Sequence, residues 1–424
     1  MAEPRVRLCI VVGISAIFAT SCSPPDLAGP VRVHVDHPVA LVDAPVSITL
    51  TGLRAATRVT IKASAMDCDA TPYASQATFT SNVGGDLDLA TAAAVSGAYS
   101  GVDGMGLIEN LRPIVGGQTS FAFCVPETGF DVTLTVDVAG RDVAHATLTR
   151  LWSLPGVSER DLRPSAAGIY GDFLAPPTGV AVHPGILVFG GSEGGLSAHT
   201  EAASLASHGY PTLALAYFAE PGLPDTEQNI PLEYFVKALT WLAAQRGVDP
   251  HHLVVIGVSR GGEAALLLGA YYPNLVHAVI AETTSGTVLC GFDAEMRCDG
   301  PSWTLHGVAL PYSTNFNDPS AATNPEQLIP VARIDGPILL NCGGQDLLIP
   351  SCLFGSAIEE RLNAAHFPYP HQLLTYPDAG HLVNAGVPFD PIYIDGLGGT
   401  LEANELGVAA FWSEQLTFLA AVSK

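Results

Sequence analysis

The pattern of apolar and polar positions changes character near residue 155. Before it, "VRVHVDHP", "APVSITLTG", "RVTIKASAM", "TSFAFCVP", "DVTLTVDVAG" and "DVAHATLTRLW" alternate or run β-branched between Gly, Pro and Asp breakers. Alternation at period two puts one face of each strand on a core. Residues 31–152 are therefore predicted to form an antiparallel, immunoglobulin-like β-sandwich. "SLPGVSERDLRPSAAG" reads as the boundary. Beyond it, short apolar runs ("GILVFGG", "YPTLALAYF", "HHLVVIG", "LVHAVIAET", "GPILLNCGG", "HQLLTYP") are separated by helix-length segments such as "PLEYFVKALTWLAAQRG" and "GEAALLLGAYYP". Strands alternating with helices predict a parallel sheet covered on both faces, an α/β domain over 160–424.

The N-terminus follows neither pattern. Arg5 and Arg7 precede a short apolar run from Leu8 to Ala19, and Ala19-Thr20-Ser21 lead into Cys22. The run is too short to span a bilayer, so residues 1–21 read as a signal peptide. Cys22 is a candidate lipidation site, although Ala19 stands where a bacterial lipoprotein box more usually has leucine. Residues 22–30 would then be a tether. The expected location is outside the cytoplasm, lipid-anchored at a bacterial envelope or periplasmic/secreted, with no other membrane contact.

Composition narrows the rest. The chain has 424 residues, is 48% hydrophobic and 14% charged, and carries a net charge of −23. Removing residues 1–21 takes away two arginines and one glutamate and leaves −24. So acidic a protein does not bind nucleic acid through its general field. Six cysteines remain beyond Cys22. An even number suits an oxidising compartment, and the expected disulfides are Cys290–Cys298 and Cys342–Cys352, with Cys68 and Cys124 as a further candidate pair. Without CxxC pairs or dense Cys/His clusters, neither a metal site nor a cofactor is expected.

The chemistry centres on "LVVIGVSRGGEAALLLGAYYP", Leu253 to Pro273. Glycine is abundant, so a G-x-S-x-G by itself says little. Here it follows a buried strand and opens a helix, the turn that lifts a serine hydroxyl above a sheet. Ser259 is the predicted nucleophile. It needs a base, and the base needs an orienting acid. Asp346 lies just past the strand "ILLNCGGQD", and His381 lies in the loop after the next strand, "LLTYPDAGH". His366 and His371 fall before or at the start of that strand. Asp335 precedes its own strand, and Asp378 is too close to His381 to orient it. The backbone N–H groups of Arg260 and Gly191 are the candidate oxyanion donors.

"ILVFGGSEGG", "ASLASHGYPTLALAYF", "PLEYFVKALTWL", "GVSRGGEAALLLG", "GGQD", "YPDAGH" and, earlier, "SGAYSGVDGMGLIENLRP" resemble the acyl-CoA thioesterase / bile acid-CoA:amino acid N-acyltransferase family, from about Val31 to Leu419. The resemblance implies an α/β-hydrolase domain behind an immunoglobulin-like domain, a triad of Ser259, Asp346 and His381, and acyl-CoA hydrolysis through an acyl-serine. The transferase members have cysteine where this chain has Ser259. Arg260 stands where lysine is usual and Gly262 where alanine is usual, and the export signal is a third departure. The alternatives are an exported carboxylesterase on uncharged esters, an N-acyltransferase, or an inert cell-surface binding protein. The expected partner is a small acyl thioester or ester; acyl length, leaving group and oligomeric state are not legible. Near the expected mouth, Arg260, Lys237 and Arg246 face Glu193, Glu220, Asp225, Glu227 and Glu263, a poor match for a polyphosphate leaving group.

Overall fold

A computed structural model describes residues 27–423, apart from positions 118, 127, 180, 323 and 385. The signal segment, Cys22 and most of the tether lie outside the described residues. The first domain opens with β1 (Leu27–Val35), which pairs antiparallel with β2 (Ile48–Leu53). Residues expected to belong to the tether are thus already in a strand. Gly29-Pro30 is accommodated because β1 is an edge strand and its register shifts between Leu27 and Arg32.

Opposite lies a second sheet built on β3 (Arg58–Met66), β4 (Pro72–Thr80), β6 (Gly129–Val138) and β7 (Arg141–Leu151); β5 (Phe121–Ala122) lies outside it, in a separate two-stranded ladder. The alternation in sequence is the alternation in space. Val59, Ile61 and Ala63 of β3 and Val132, Leu134 and Val136 of β6 are fully buried and meet Ile48 and Leu50 of β2 in one core. Cys68–Cys124 closes as a disulfide, Cα atoms 5.1 Å apart.

The second domain is built on an eight-stranded sheet. In chain order its strands are β8 (Ser158–Leu162), β9 (Tyr170–Ala175), β10 (His183–Phe189), β11 (Thr212–Ala216), β12 (Val248–Val258), β13 (Ala278–Glu282), β14 (Ile338–Gly343) and β15 (His371–Tyr376). In space they run β8-β9-β11-β10-β12-β13-β14-β15, with β9 antiparallel to β8 and β11 and the remainder parallel. This is the α/β-hydrolase arrangement. Leu253 to Ile256 are wholly buried because helices cover both faces of β12. The covering helices are α1 (His199–Ser207), α2 (Leu232–Ala243), α3 (Arg260–Tyr271), α4 (Ser351–Ala364) and α5 (Leu401–Val422). Every residue of α3 from Arg260 to Ala270 is buried.

The two domains are joined closely. Trp412 Nε1 on α5 donates to Asp43 Oδ2 (2.8 Å), and His208 contacts the same carboxylate. β5 pairs antiparallel with β16 (Ile392–Tyr393), Ala122 opposite Ile392. Among the described residues no helix is long and apolar enough to cross a membrane.

Candidate active site

At the C-terminal end of β12 the chain reverses directly into α3. Ser259 sits on that turn with φ +52° and ψ −113°, a backbone conformation that L-residues rarely adopt. Its N–H donates to Glu282 O (2.8 Å), and its own carbonyl accepts from Thr284 Oγ1 (2.8 Å). The flanking glycines permit the turn. A Cβ on Gly257 would lie 2.2 Å from Gly261 O, and one on Gly261 would lie 2.3 Å from Gly190 O.

Ser259 Oγ is 3.0 Å from His381 Nε2, and His381 Nδ1 is 2.8 Å from Asp346 Oδ2. The other oxygen of Asp346 accepts from the N–H groups of Leu348 (3.0 Å) and Ile349 (3.1 Å). The carboxylate is thus fully buried and oriented at both oxygens. The loop carrying Asp346 leaves β14 at Gly343 and enters α4 at Ser351. The Cys342–Cys352 disulfide closes it, with Cα atoms 4.9 Å apart. The competing groups are elsewhere: His371 pairs with Glu359 (3.0 Å), and Asp335 accepts from Tyr369.

The expected oxyanion donors differ from each other. Arg260 opens α3, so its N–H lies at a helix N-terminus. Gly191 abuts Ser259; a Cβ there would lie 3.0 Å from Ser259 Cβ. Its N–H is already engaged, donating to Glu193 Oε1 (2.8 Å), and Ser197 Oγ donates to the same oxygen (2.7 Å). The buried Tyr217 hydroxyl lies 3.1 Å from both Gly190 O and Gly191 O and braces the loop independently of Glu193. An acid inside "GGSEGG" was the available sequence signal for this contact.

The charges expected at the mouth are largely not there. The Arg260 guanidinium is buried behind the turn. It donates to Glu263 (3.1 Å) and Cys290 O (2.9 Å), lies 3.4 Å from Glu227, and has the Phe292 and Phe316 rings within 6 Å. Burial raises the Glu263 pKa to about 7, against the opposing pull of Arg260. This cluster rests against the hairpin closed by Cys290–Cys298, Cα atoms 5.4 Å apart. Lys237 packs beside Gly168, and Arg246 lines a separate groove with Pro176 and Gly247. Of the residues named for the mouth, Glu193 alone lines the cavity over Ser259.

That cavity is about 370 Å³, within the range of small-molecule sites. Its apolar wall includes Ala122 and Phe123 from the first domain and Leu348, Leu382, Val387 and Ile392 from the second. Two residues that sequence reasoning missed also line it, Glu201 of α1 and Asp390. Glu201 accepts from Gln415 Nε2 (2.8 Å), and burial raises its pKa to about 7. Its field, added to burial, raises the pKa of Glu282, the residue whose carbonyl receives the Ser259 N–H. Burial alone raises the Asp390 pKa to about 7. At a distance from this site, Glu159, Asp172 and His199 converge within 4.8 Å, but Arg163 already pairs with Asp172 (3.1 Å).

Residues 43–164 match the acyl-CoA thioester hydrolase/BAAT N-terminal region, and residues 230–421 match the BAAT / acyl-CoA thioester hydrolase C terminal region. The chain is 30% identical to acyl-coenzyme A amino acid N-acyltransferase 1 of Mus musculus, over 83% of this chain and 86% of that protein. The chain belongs to the acyl-CoA thioester hydrolase/BAAT family. Another member, acyl-coenzyme A thioesterase 1 of Rattus norvegicus, is 29% identical over 85% of this chain and 87% of its own length. Among solved structures, a putative dienelactone hydrolase from Klebsiella pneumoniae aligns at 17% identity and a TM-score of 0.43, covering 62% of this chain and 98% of that one. The two family regions fall on the first and second domains of this chain respectively.

Proposed function

We propose that the protein hydrolyses acyl thioesters through an acyl-serine intermediate, with Ser259, His381 and Asp346 as its triad. The observation that carries this is the continuous hydrogen-bonded chain Ser259–His381–Asp346, at 3.0 and 2.8 Å, beside a cavity of acyl-group size. His381 Nε2 takes the Ser259 proton as Oγ attacks the thioester carbonyl. The tetrahedral oxyanion turns toward the Arg260 N–H and, once Glu193 swings away, the Gly191 N–H. His381 then protonates the departing thiolate. A water activated by the same imidazole cleaves the acyl-serine, releasing the acid and restoring Ser259.

The names of the relatives make acyl-CoA the first substrate to try. Serine rather than cysteine at position 259 favours water over an amine as acceptor. The signal-like residues 1–21, the candidate lipidated Cys22 and three closed disulfides support an exported, envelope-anchored enzyme. The test is a panel of acyl-CoA and acyl N-acetylcysteamine thioesters on the mature protein and its Ser259→Ala variant. Turnover by the first and a loss on the order of 10³–10⁶ in the second is the expected result. A Ser259→Ala protein keeping more than about a tenth of normal turnover would refute it.

A further inference from the structure

The cavity beside Ser259 has carboxyl groups on several walls and no Lys or Arg among its lining residues. Glu193 stands on the oxyanion loop, where Gly191 and Ser197 hold it. Glu201 is 3% exposed, and among the described residues it accepts one hydrogen bond, from Gln415. Asp390 is different again. It takes part in no hydrogen bond or ion pair among the described residues, and its Oδ1 is buried without any partner. The imidazole of His381, the basic side chain of the cavity, is committed to Ser259 and Asp346.

Asp390 is half-buried with its Oδ1 shielded from water and unpartnered; such a carboxyl is costly by itself and becomes favourable when a ligand supplies a donor and a charge. An all-alkyl acyl chain would leave Asp390 unpartnered and place methylenes against Glu201. An ammonium group offers three donors and a compensating charge to acids that no Lys or Arg among the described residues pairs with. We propose that the acyl group taken by this site carries a primary ammonium, with Asp390 and Glu201 as the residues that select it. Burial raises the pKa of both carboxyls, a desolvation cost that a cation placed against them offsets. Binding the ammonium would return both to the charged form. The inference rests on the thioesterase reading for its acyl carrier, but the cation site itself is independent of turnover.

The experiment holds the leaving group constant. The N-acetylcysteamine thioesters of 6-aminohexanoate, 6-hydroxyhexanoate and heptanoate are compared by kcat/KM on the full mature chain. The aminoacyl substrate should exceed the heptanoyl one by about tenfold or more. Asp390→Asn and Glu201→Gln should each bring that ratio down toward unity. A heptanoyl substrate that is preferred, a hydroxyacyl substrate that does as well as the aminoacyl one, or a ratio unmoved by both substitutions overturns the proposal. Calorimetry with n-hexylammonium and 1-hexanol reads binding without chemistry. Tighter binding of the ammonium, weakened by Asp390→Asn, supports the site even if no thioester is turned over, in which case the thioesterase reading fails alone. Equal or weaker binding of the ammonium overturns the site while leaving that reading intact.

Discussion

Replacing Glu193 by alanine should make the enzyme a better binder of tetrahedral species. In the resting protein the Gly191 N–H donates to the Glu193 carboxylate at 2.8 Å, so an oxyanion must displace a charged acceptor before it can use that donor. A hydrogen bond to a charged group is worth about 1.5–3 kcal/mol when shielded. Glu193 is exposed, so competing water reduces this to about 1 kcal/mol. The loop should survive the change, because the Tyr217 hydroxyl contacts the carbonyls of Gly190 and Gly191 from the buried side. The expected gain is roughly fivefold in affinity for an acyl trifluoromethyl ketone, and a similar gain in the rate at which a phosphonate labels Ser259. Ser197→Ala removes the donor that steadies Glu193 and should act in the same direction, more weakly. If Glu193→Ala labels more slowly at unchanged melting temperature, Glu193 aids the reaction and the displacement argument is wrong.

Reducing Cys342–Cys352, or replacing both cysteines by serine, should loosen the loop that carries Asp346. The stability loss is about 2–3 kcal/mol in the chain-entropy model, and kcat should fall at temperatures where circular dichroism still reports a folded chain. Asp390→Asn should stabilise the empty protein at pH 8 and have little effect at pH 4. Its carboxyl pKa is raised from 3.8 to about 7, so the protonated form is the one folding favours, and stability is lost as pH rises through that window. Melting temperatures at the two pH values check this, and destabilisation at pH 8 would contradict it. Acyl-CoA turnover should improve from low to moderate ionic strength, because salt screens repulsion between the acidic protein and the coenzyme phosphates, while matched N-acetylcysteamine thioesters show no such change. Acyl-CoA turnover that declines with salt would point to a local basic site.

That Ser259, His381 and Asp346 would come together was legible because each has a local signature. Ser259 lies on a strand-turn-helix, and Asp346 and His381 follow the ends of buried strands in chain order. The oxyanion loop was half legible. Glycines at 190 and 191 mark the close approach, but the occupation of Gly191 depends on where the Glu193 side chain turns, and Ser197 decides that from the next turn of chain. Arg260 was misplaced because sequence proximity to Ser259 suggests the mouth. Glu263 lies one turn along α3, but Glu227 and the Cys290 carbonyl reach the guanidinium only through tertiary packing, and together they hold it buried behind the turn. Glu201 and Asp390 carry no pattern at all; a helix N-terminal acid and a loop aspartate ordinarily face water. The sandwich boundary slipped for a local reason. Gly29-Pro30 reads as a breaker, yet an edge strand tolerates both where its ladder is irregular.

The pairing of Ala122 with Ile392 has a consequence for how such proteins diversify. Phe123, next along from that short ladder, forms part of the wall over Ser259, and its backbone N–H donates to Pro391 O (3.1 Å). The sandwich is therefore part of the reaction vessel rather than a passenger. Grafting the hydrolase domain onto a foreign first domain would open the vessel on one side, and deleting the sandwich would remove that wall altogether. Substitutions at Ala122 and Phe123, by contrast, can reshape what the vessel admits without touching any residue that moves a proton. Selectivity can therefore be altered from one domain while Ser259, His381 and Asp346 stay untouched in the other, provided the two domains remain joined.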